Sequence, residues 1–199
     1  MIRIVRLMLP VVFTAVLTAA NSIPAHDLAL ELDPAQTKVE FTLGDVLHTV
    51  HGTFQLKHGA IRFDPGSGKV SGEIVLDAAS GASGSGARDR KMNKQVLESE
   101  TYPEIVFRPD HAEGQVARQG TSHIQLHGIF AIHGGEHEMT IPMDLDAADG
   151  RFIATAQWVV PYVKWGMKDP STLFLRVSDK VQISIHTIAH PPSSGSSPS

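Results

Sequence analysis

From position 37 onward, apolar residues recur at every second position along most of the chain. Residues 37–43 set Val39, Phe41 and Leu43 on one side and Lys38, Glu40 and Thr42 on the other. Successive side chains of a strand point to opposite faces, so this period predicts a half-buried strand. The same alternation predicts strands through Val50, Phe54 and Leu56, through Ile61 and Phe63, and through Val70, Ile74 and Leu76. In the last of these, Ser71, Glu73 and Val75 take the opposite face. Ile105 and Phe107 mark another strand, Ile124, Leu126, Phe130 and Ile132 a long one, and Met139, Ile141 and Met143 the next. Phe152, Ala154, Ala156 and Trp158, then Val181, Ile183 and Ile185, complete the series. Turn formers separate these runs at 64–68, at Gly134-Gly135 and at 147–150. Eight or nine short strands joined mostly by hairpin-type links predict an antiparallel sandwich or barrel.

One stretch breaks the period. Residues 79–86 form a small-residue loop that leads into 87–98. There Met92, Val96 and Leu97 share one helical face and charges occupy the rest, which predicts a single amphipathic helix. Ser85 or Gly86 stands where its cap belongs.

Composition narrows the function classes. The chain has 199 residues, 42% hydrophobic and 19% charged, as one globular domain would have. The net charge is −4 with no lysine or arginine cluster, which argues against a nucleic-acid surface. Cysteine is absent, so disulfides, thiolate metal sites and thiol catalysis are excluded. Residues 1–25 have the layout of an export signal: Arg3 and Arg6, then an apolar run over 7–20, then small residues ending at Ala25. The run is too short to span a bilayer, which takes about 20 residues. Cleavage after Ala25 is favoured over Ala20, and there is no lipobox cysteine. The expected domains are a signal peptide at 1–25, a β-barrel at 26–190 and a disordered tail at 191–199. The expected location is the periplasm or outside the cell, with no transmembrane helix in the mature chain. Without Arg3 and Arg6 the balance is 15 basic against 21 acidic residues, or −6.

Eleven histidines raise the question of a metal. His133-Gly134-Gly135-Glu136-His137 matches H-x-x-E-H, but that motif requires a helix, and two central glycines between strands read as a hairpin turn. His48 and His51 are three apart on a strand and point to opposite faces. His123 and His127 share a strand face but lie about 13 Å apart by strand rise, too far to share one ion. His26 carries the alternative reading, a copper or zinc protein or metal-dependent enzyme. As a mature N-terminus, its amine and imidazole could chelate copper(II) with help from other histidines. No phosphate-cradling lysine motif and no G-x-S-x-G elbow is present. No metal or cofactor is expected.

Several short motifs, in order, resemble the YceI-like family of secreted lipid-binding proteins. Leu32-Asp33-Pro34 with Thr37-Lys38-Val39-Glu40-Phe41 is similar to its opening motif, and Val50-His51-Gly52-Thr53-Phe54 to its V-x-G-x-F. Ser80, Ser83-Gly84 and Arg88-Asp89 fall at the spacing of its S-x-x-T-G-x-x-x-R-D. Leu97 and then Tyr102-Pro103-Glu104-Ile105-Val106-Phe107 resemble its Y-P-x-I-x-F, and a hairpin follows from Leu126-His127-Gly128 to Ile141-Pro142-Met143. Two places differ. The first loop reads Gly44-Asp45-Val46-Leu47-His48, and Trp165-Gly166 with Lys164 stands where many members have R-x-x-F-G.

The resemblance implies an all-β, eight-stranded antiparallel lipocalin-like barrel with one short helix and loop over it. It also implies a non-catalytic function, the holding of an isoprenoid-type or quinone-like lipid for transport or storage. Such a barrel has room for side chains or for one elongated ligand. The residues expected to line it are Val39, Phe41, Phe54, Ile61, Phe63, Ile74, Ile105, Phe107, Phe130, Ile132, Ile141, Phe152, Trp158 and Ile183. Arg88, Asp89, Met92, Tyr102 and Trp165 are expected at the mouth and helix. Arg88 with Asp89 either fixes the loop or meets the ligand. Whether the barrel is hollow or filled, and whether it forms a homodimer, stays open at this level.

Overall fold

The computed structural model describes residues 27–44, 49–117, 119–172 and 176–192. The expected signal segment at 1–25, His26, His48 and most of the expected tail at 191–199 lie outside these residues.

Nine strands form one antiparallel sheet: β1 (Leu28–Leu32), β2 (Lys38–Gly44), β3 (Thr49–Phe63), β4 (Val70–Ala82), β5 (Glu104–Glu113), β6 (Gly120–Ile132), β7 (Gly135–Ala148), β8 (Arg151–Val160) and β9 (Val181–His190). From β2 to β9 each strand pairs with its successor, and β9 returns to β2. The sheet therefore closes as an eight-position barrel, which removes its edges. β1 shares a position with β2. It pairs with the far half of β3 (Leu28 opposite Phe63) and with the end of β9 (Leu32 opposite Ala189). A single 3₁₀ turn, Pro34–Gln36, separates β1 from β2, and Asp33 caps it by accepting a hydrogen bond from the Ala35 amide at 2.8 Å.

β1 was not among the strands read from the sequence. Leu28, Leu30 and Leu32 do alternate with Ala29 and Glu31, but the run is only five residues long. It becomes a strand because β3 is 15 residues long and β2 only seven, which leaves half of β3 without a partner.

Two links are two-residue hairpins. Ile132 lies opposite Gly135, and Ala148 opposite Arg151. The residues between have positive φ: His133 +52° and Gly134 +73°, then Asp149 +53° and Gly150 +76°. Two consecutive positive φ values define the turn whose twist matches the flanking strands, and glycine supplies one of them without strain. The H-x-x-E-H string is thus a hairpin, and its two histidines do not form a helical pair.

The helix differs from the sequence reading. Residues 87–98 are not one α-helix. α1 spans Gly86–Lys91 and continues as a π-helical turn, Met92–Val96. The Leu97 amide bonds to the Met92 carbonyl at 2.9 Å, five residues back. That wider turn stacks Leu97 above Met92, which α geometry would rotate apart. Both then pack on the barrel core together with Val96. Ser85 is the capping residue by conformation, but its side chain makes no capping bond.

The inward set of the strands is the predicted one, with Val39 at 1% exposure the most deeply buried of its strand. Val75 departs from its polar-face assignment and is only 2% exposed. It pairs with Val106, also buried, on the outside of the barrel. Lys57–Glu104 and Arg108–Glu73 ion pairs flank the two valines in register. The aliphatic stems of such side chains can cover a small apolar patch.

Candidate functional site: the barrel cavity

Inward-facing side chains do not fill the barrel. Two adjoining chambers remain, one of about 510 Å³ at the end under the helix and one of about 120 Å³ at the far end. They meet at a waist of five side chains that line both: Val39, Leu76, Ile105, Phe130 and Trp158. The lower chamber is walled by β1 through Leu28, Leu30 and Leu32, with Phe63, Phe107, Ile141 and Phe152 among the others. Thr187 is its one polar lining residue, and its hydroxyl is hydrogen-bonded to Thr37 at 2.6 Å.

The upper chamber is apolar in its depth, with Phe41, Phe54, Ile132, Val160 and Ile183, and polar only toward its rim. Ser83, Ser85, Arg88 and Lys91, from the β4–α1 loop and α1, supply that rim. Most of these groups are already engaged. Arg88 donates to the Ser83 hydroxyl and carbonyl, each at 2.7 Å, and the Ser83 hydroxyl donates to Asp89. Lys91 Nζ donates to the Pro170 carbonyl at 3.0 Å, bridging α1 to the segment after β8.

That segment closes the other side of the mouth. Tyr162, buried at 5% exposure, donates its hydroxyl to the Ser178 carbonyl at 2.7 Å, and the Ser178 amide donates to Gly44. Burial pushes the Tyr162 phenol up to about 12, so it stays a donor at any physiological pH. Trp165 stacks on His137 of β7, with rings 3.9 Å apart and nearly parallel at 4°. Phe130 joins this stack at 5.9 Å to Trp165 and reaches Trp158 at 6.4 Å. The β7–β8 ladder stops at Met143 opposite Ala156, so the upper parts of the two strands share no backbone bonds. The aromatic cluster lies at that seam. Desolvation holds the His137 imidazole below its ordinary range, favouring the neutral ring.

All fourteen residues expected to line the barrel do line one chamber or both. The mouth group divides. Arg88 and Met92 line the upper chamber. Asp89 does not, and instead accepts from the Ser83 amide at 2.9 Å and from its hydroxyl, so the Arg88–Asp89 motif locks the loop. Tyr102 packs on His133 with ring centroids 4.8 Å apart, fastening the segment after the helix to the β6–β7 hairpin. Trp165 belongs to the seam. The sequence reading missed the β1 leucines, Tyr162 and Met167; isolated large apolar residues in a glycine- and proline-bearing link were the available signal.

Among the described residues, no group of three or more His, Asp or Glu side chains is placed to hold a metal. His123 pairs with Asp144 at 2.5 Å and His127 with Asp110 at 2.8 Å, both on the outer surface. No helix of the described residues is long and apolar enough to cross a membrane.

A family model of the YceI-like domain matches residues 30–189, nearly all of the described barrel. The chain belongs to the YceI-like family. Solved structures share the YceI-like fold. BcnA of Burkholderia cenocepacia superposes with a TM-score of 0.64 at 20% identity, covering 79% of this chain and 98% of its own. A polyisoprenoid-binding domain from Saccharophagus degradans, implicated in plant cell wall breakdown, gives a TM-score of 0.65 at 14% identity over 83% and 99%. The Campylobacter jejuni YceI protein gives 0.53 at 14% identity over 65% and 78%. No curated protein sequence matches the chain.

Proposed function

We propose that this YceI-like protein is an exported, non-catalytic carrier or reservoir for an isoprenoid-type lipid, quinone-like lipids included, in the periplasm. The observation that carries the reading is the two-chambered cavity, apolar in its depth save for Thr187, whose hydroxyl is bonded to Thr37, and polar mainly at one rim. Each CH₂ moved from water into such a space contributes about 0.8 kcal/mol, so a chain of many carbons gains enough to stay with the protein rather than aggregate. Ordering the chain offsets part of that gain. The polyisoprenoid-binding description of the Saccharophagus domain supports the same class of ligand. The signal-like layout of residues 1–25 supports export.

Protein purified from its own host should release a stoichiometric apolar ligand on organic extraction, identified by mass spectrometry. Recovering none, and finding no binding of added isoprenoids, would sink the carrier reading. N-terminal sequencing of the mature protein is expected to begin at His26, and a cytoplasmic, uncut chain would remove the periplasmic role.

A further inference from the structure

Charge is sorted along the barrel axis. Among the described residues, the two long links at the mouth, 83–103 and 161–180, carry eight basic and five acidic residues. The rest of the described chain carries six basic and fifteen acidic ones. The pairing differs as well. On the barrel wall, Lys38, Lys57 and Arg108 are ion-paired with glutamates. Among the described residues, none of the eight mouth bases forms an ion pair; Arg88 and Lys91 bond instead to neutral oxygens of Ser83 and Pro170. Unneutralised positive charge therefore surrounds the polar rim of the large chamber, with exposed Arg90 and Lys94 on one lip and exposed Lys164 and Lys168 on the other.

Resting on the carrier reading above, we propose that the mouth docks on the surface of an anionic lipid bilayer, so that the ligand passes between bilayer and chamber without crossing water. Each lysine or arginine held near such a surface strengthens binding about fivefold. The acidic excess of the barrel does not cancel this. At physiological salt the Debye length is about 8 Å. A ten-residue strand such as β8 runs about 33 Å along its length, so Asp64 and Asp149 at the far end are screened from a surface at the mouth. A protein partner fits less well. Among the described residues the exposed large apolar side chains, Ile153 and Val159, lie on β8 and not on either link. The lips thus offer charge without the apolar centre that protein interfaces have.

The test titrates purified protein with vesicles of phosphatidylcholine, alone or mixed with phosphatidylglycerol, and measures bound protein by sedimentation. Binding is expected to the mixed vesicles only, and should weaken steeply as salt is raised. Arg90→Glu with Lys94→Glu, or Lys164→Glu with Lys168→Glu, should weaken it at least about 25-fold, two residues at about fivefold each. Arg62→Glu with Lys69→Glu makes the same change of net charge at the far end and should alter it by less than about twofold. An apolar fluorescent probe, N-phenyl-1-naphthylamine, reports the cavity in each variant, and its unchanged binding shows that the fold is kept. Equal binding to both vesicles, binding to neither, or an equal loss in the far-end variant would overturn the docking surface and leave the carrier reading intact. So would equal affinity for a monomeric short-chain phosphatidylglycerol, which would assign the charge to one headgroup instead of a surface. A wild-type protein that docks but takes up neither the probe nor an added isoprenoid would overturn the carrier reading, and with it the passage of a ligand at this face.

Discussion

At the far end of the barrel the strands turn back through short, self-bonded links. Asp64 anchors one of them, accepting from the Gly66 amide and the Ser67 hydroxyl, and 149–150 is a two-residue hairpin. Under the helix two of the links, 83–103 and 161–180, are long, and they are held by side chains: Arg88 and Asp89 on Ser83, Lys91 on Pro170, Tyr162 on Ser178. The end made by backbone turns encloses about 120 Å³, and the end made by side-chain contacts about 510 Å³. A tight turn brings strand ends together and leaves the core to close on itself, whereas a long link can arch over a space. Stability is thus concentrated at one end and access at the other.

The comparison breaks most visibly in large-to-small substitutions. Phe107→Ala, at the end with the smaller chamber, should cost about 3–5 kcal/mol in urea unfolding, as truncation of a buried phenylalanine does. Phe54→Ala, whose ring packs on Phe41 at 5.4 Å beside the large chamber, should cost about half of that or less, because Phe54 is only partly buried and fronts the larger space. Apolar-probe affinity should fall more for Phe54→Ala. Equal losses of stability would show that the ends are packed alike.

Ser83→Ala comes next, at about 1–2 kcal/mol, since it removes the hydroxyl that links Arg88 to Asp89 and leaves each only its bond to the Ser83 backbone. Amide exchange should quicken over 83–97 and stay unchanged around the 64–69 turn. Exchange rising at both ends would mean that the mouth is not an independent unit.

The dependence on pH sharpens the same contrast. The folded His137 pKa lies below the ordinary 6.5 because burial disfavours its charge. The unfolded chain takes up that proton first, so the contribution is fully present above 6.5 and is lost as pH falls through 6.5 toward the folded value. His127, hydrogen-bonded to Asp110, is shifted upward, and its contribution is present below 6.5 and lost as pH rises through its folded value. His137→Phe should flatten the acid side of the stability profile and His127→Gln the alkaline side. An acid limb unchanged in His137→Phe would count against a buried neutral ring. The smallest effect on stability belongs to Lys91→Met, within about 0.5 kcal/mol, because the bond is exposed. It should nonetheless speed release of a bound probe in stopped flow; unaltered release would place the exit elsewhere.

The inward face was legible because facing the inside of a barrel and alternating in sequence are one geometric fact, so Val39, Phe41 and Ile183 could be placed on one face from period alone. The mouth was less so. Arg88 and Asp89 are adjacent, yet one reaches the cavity and the other turns into the loop, a choice made by where Ser83 lies. β1 was missed because five residues carry too little pattern, and its existence depends on the unpaired half of β3. Val75 was misread because its cover comes from other strands.

The sequence by itself determined the strand period, turns around Gly134-Gly135 and within 147–150, the absence of thiol chemistry and the inward set, since each depends on near neighbours along the chain. Tertiary structure alone decided that the barrel is hollow, that its space narrows at Trp158 and that the π turn aligns Met92 with Leu97. Those depend on distances between strands remote in sequence, and on volume left over after packing, which no local pattern encodes.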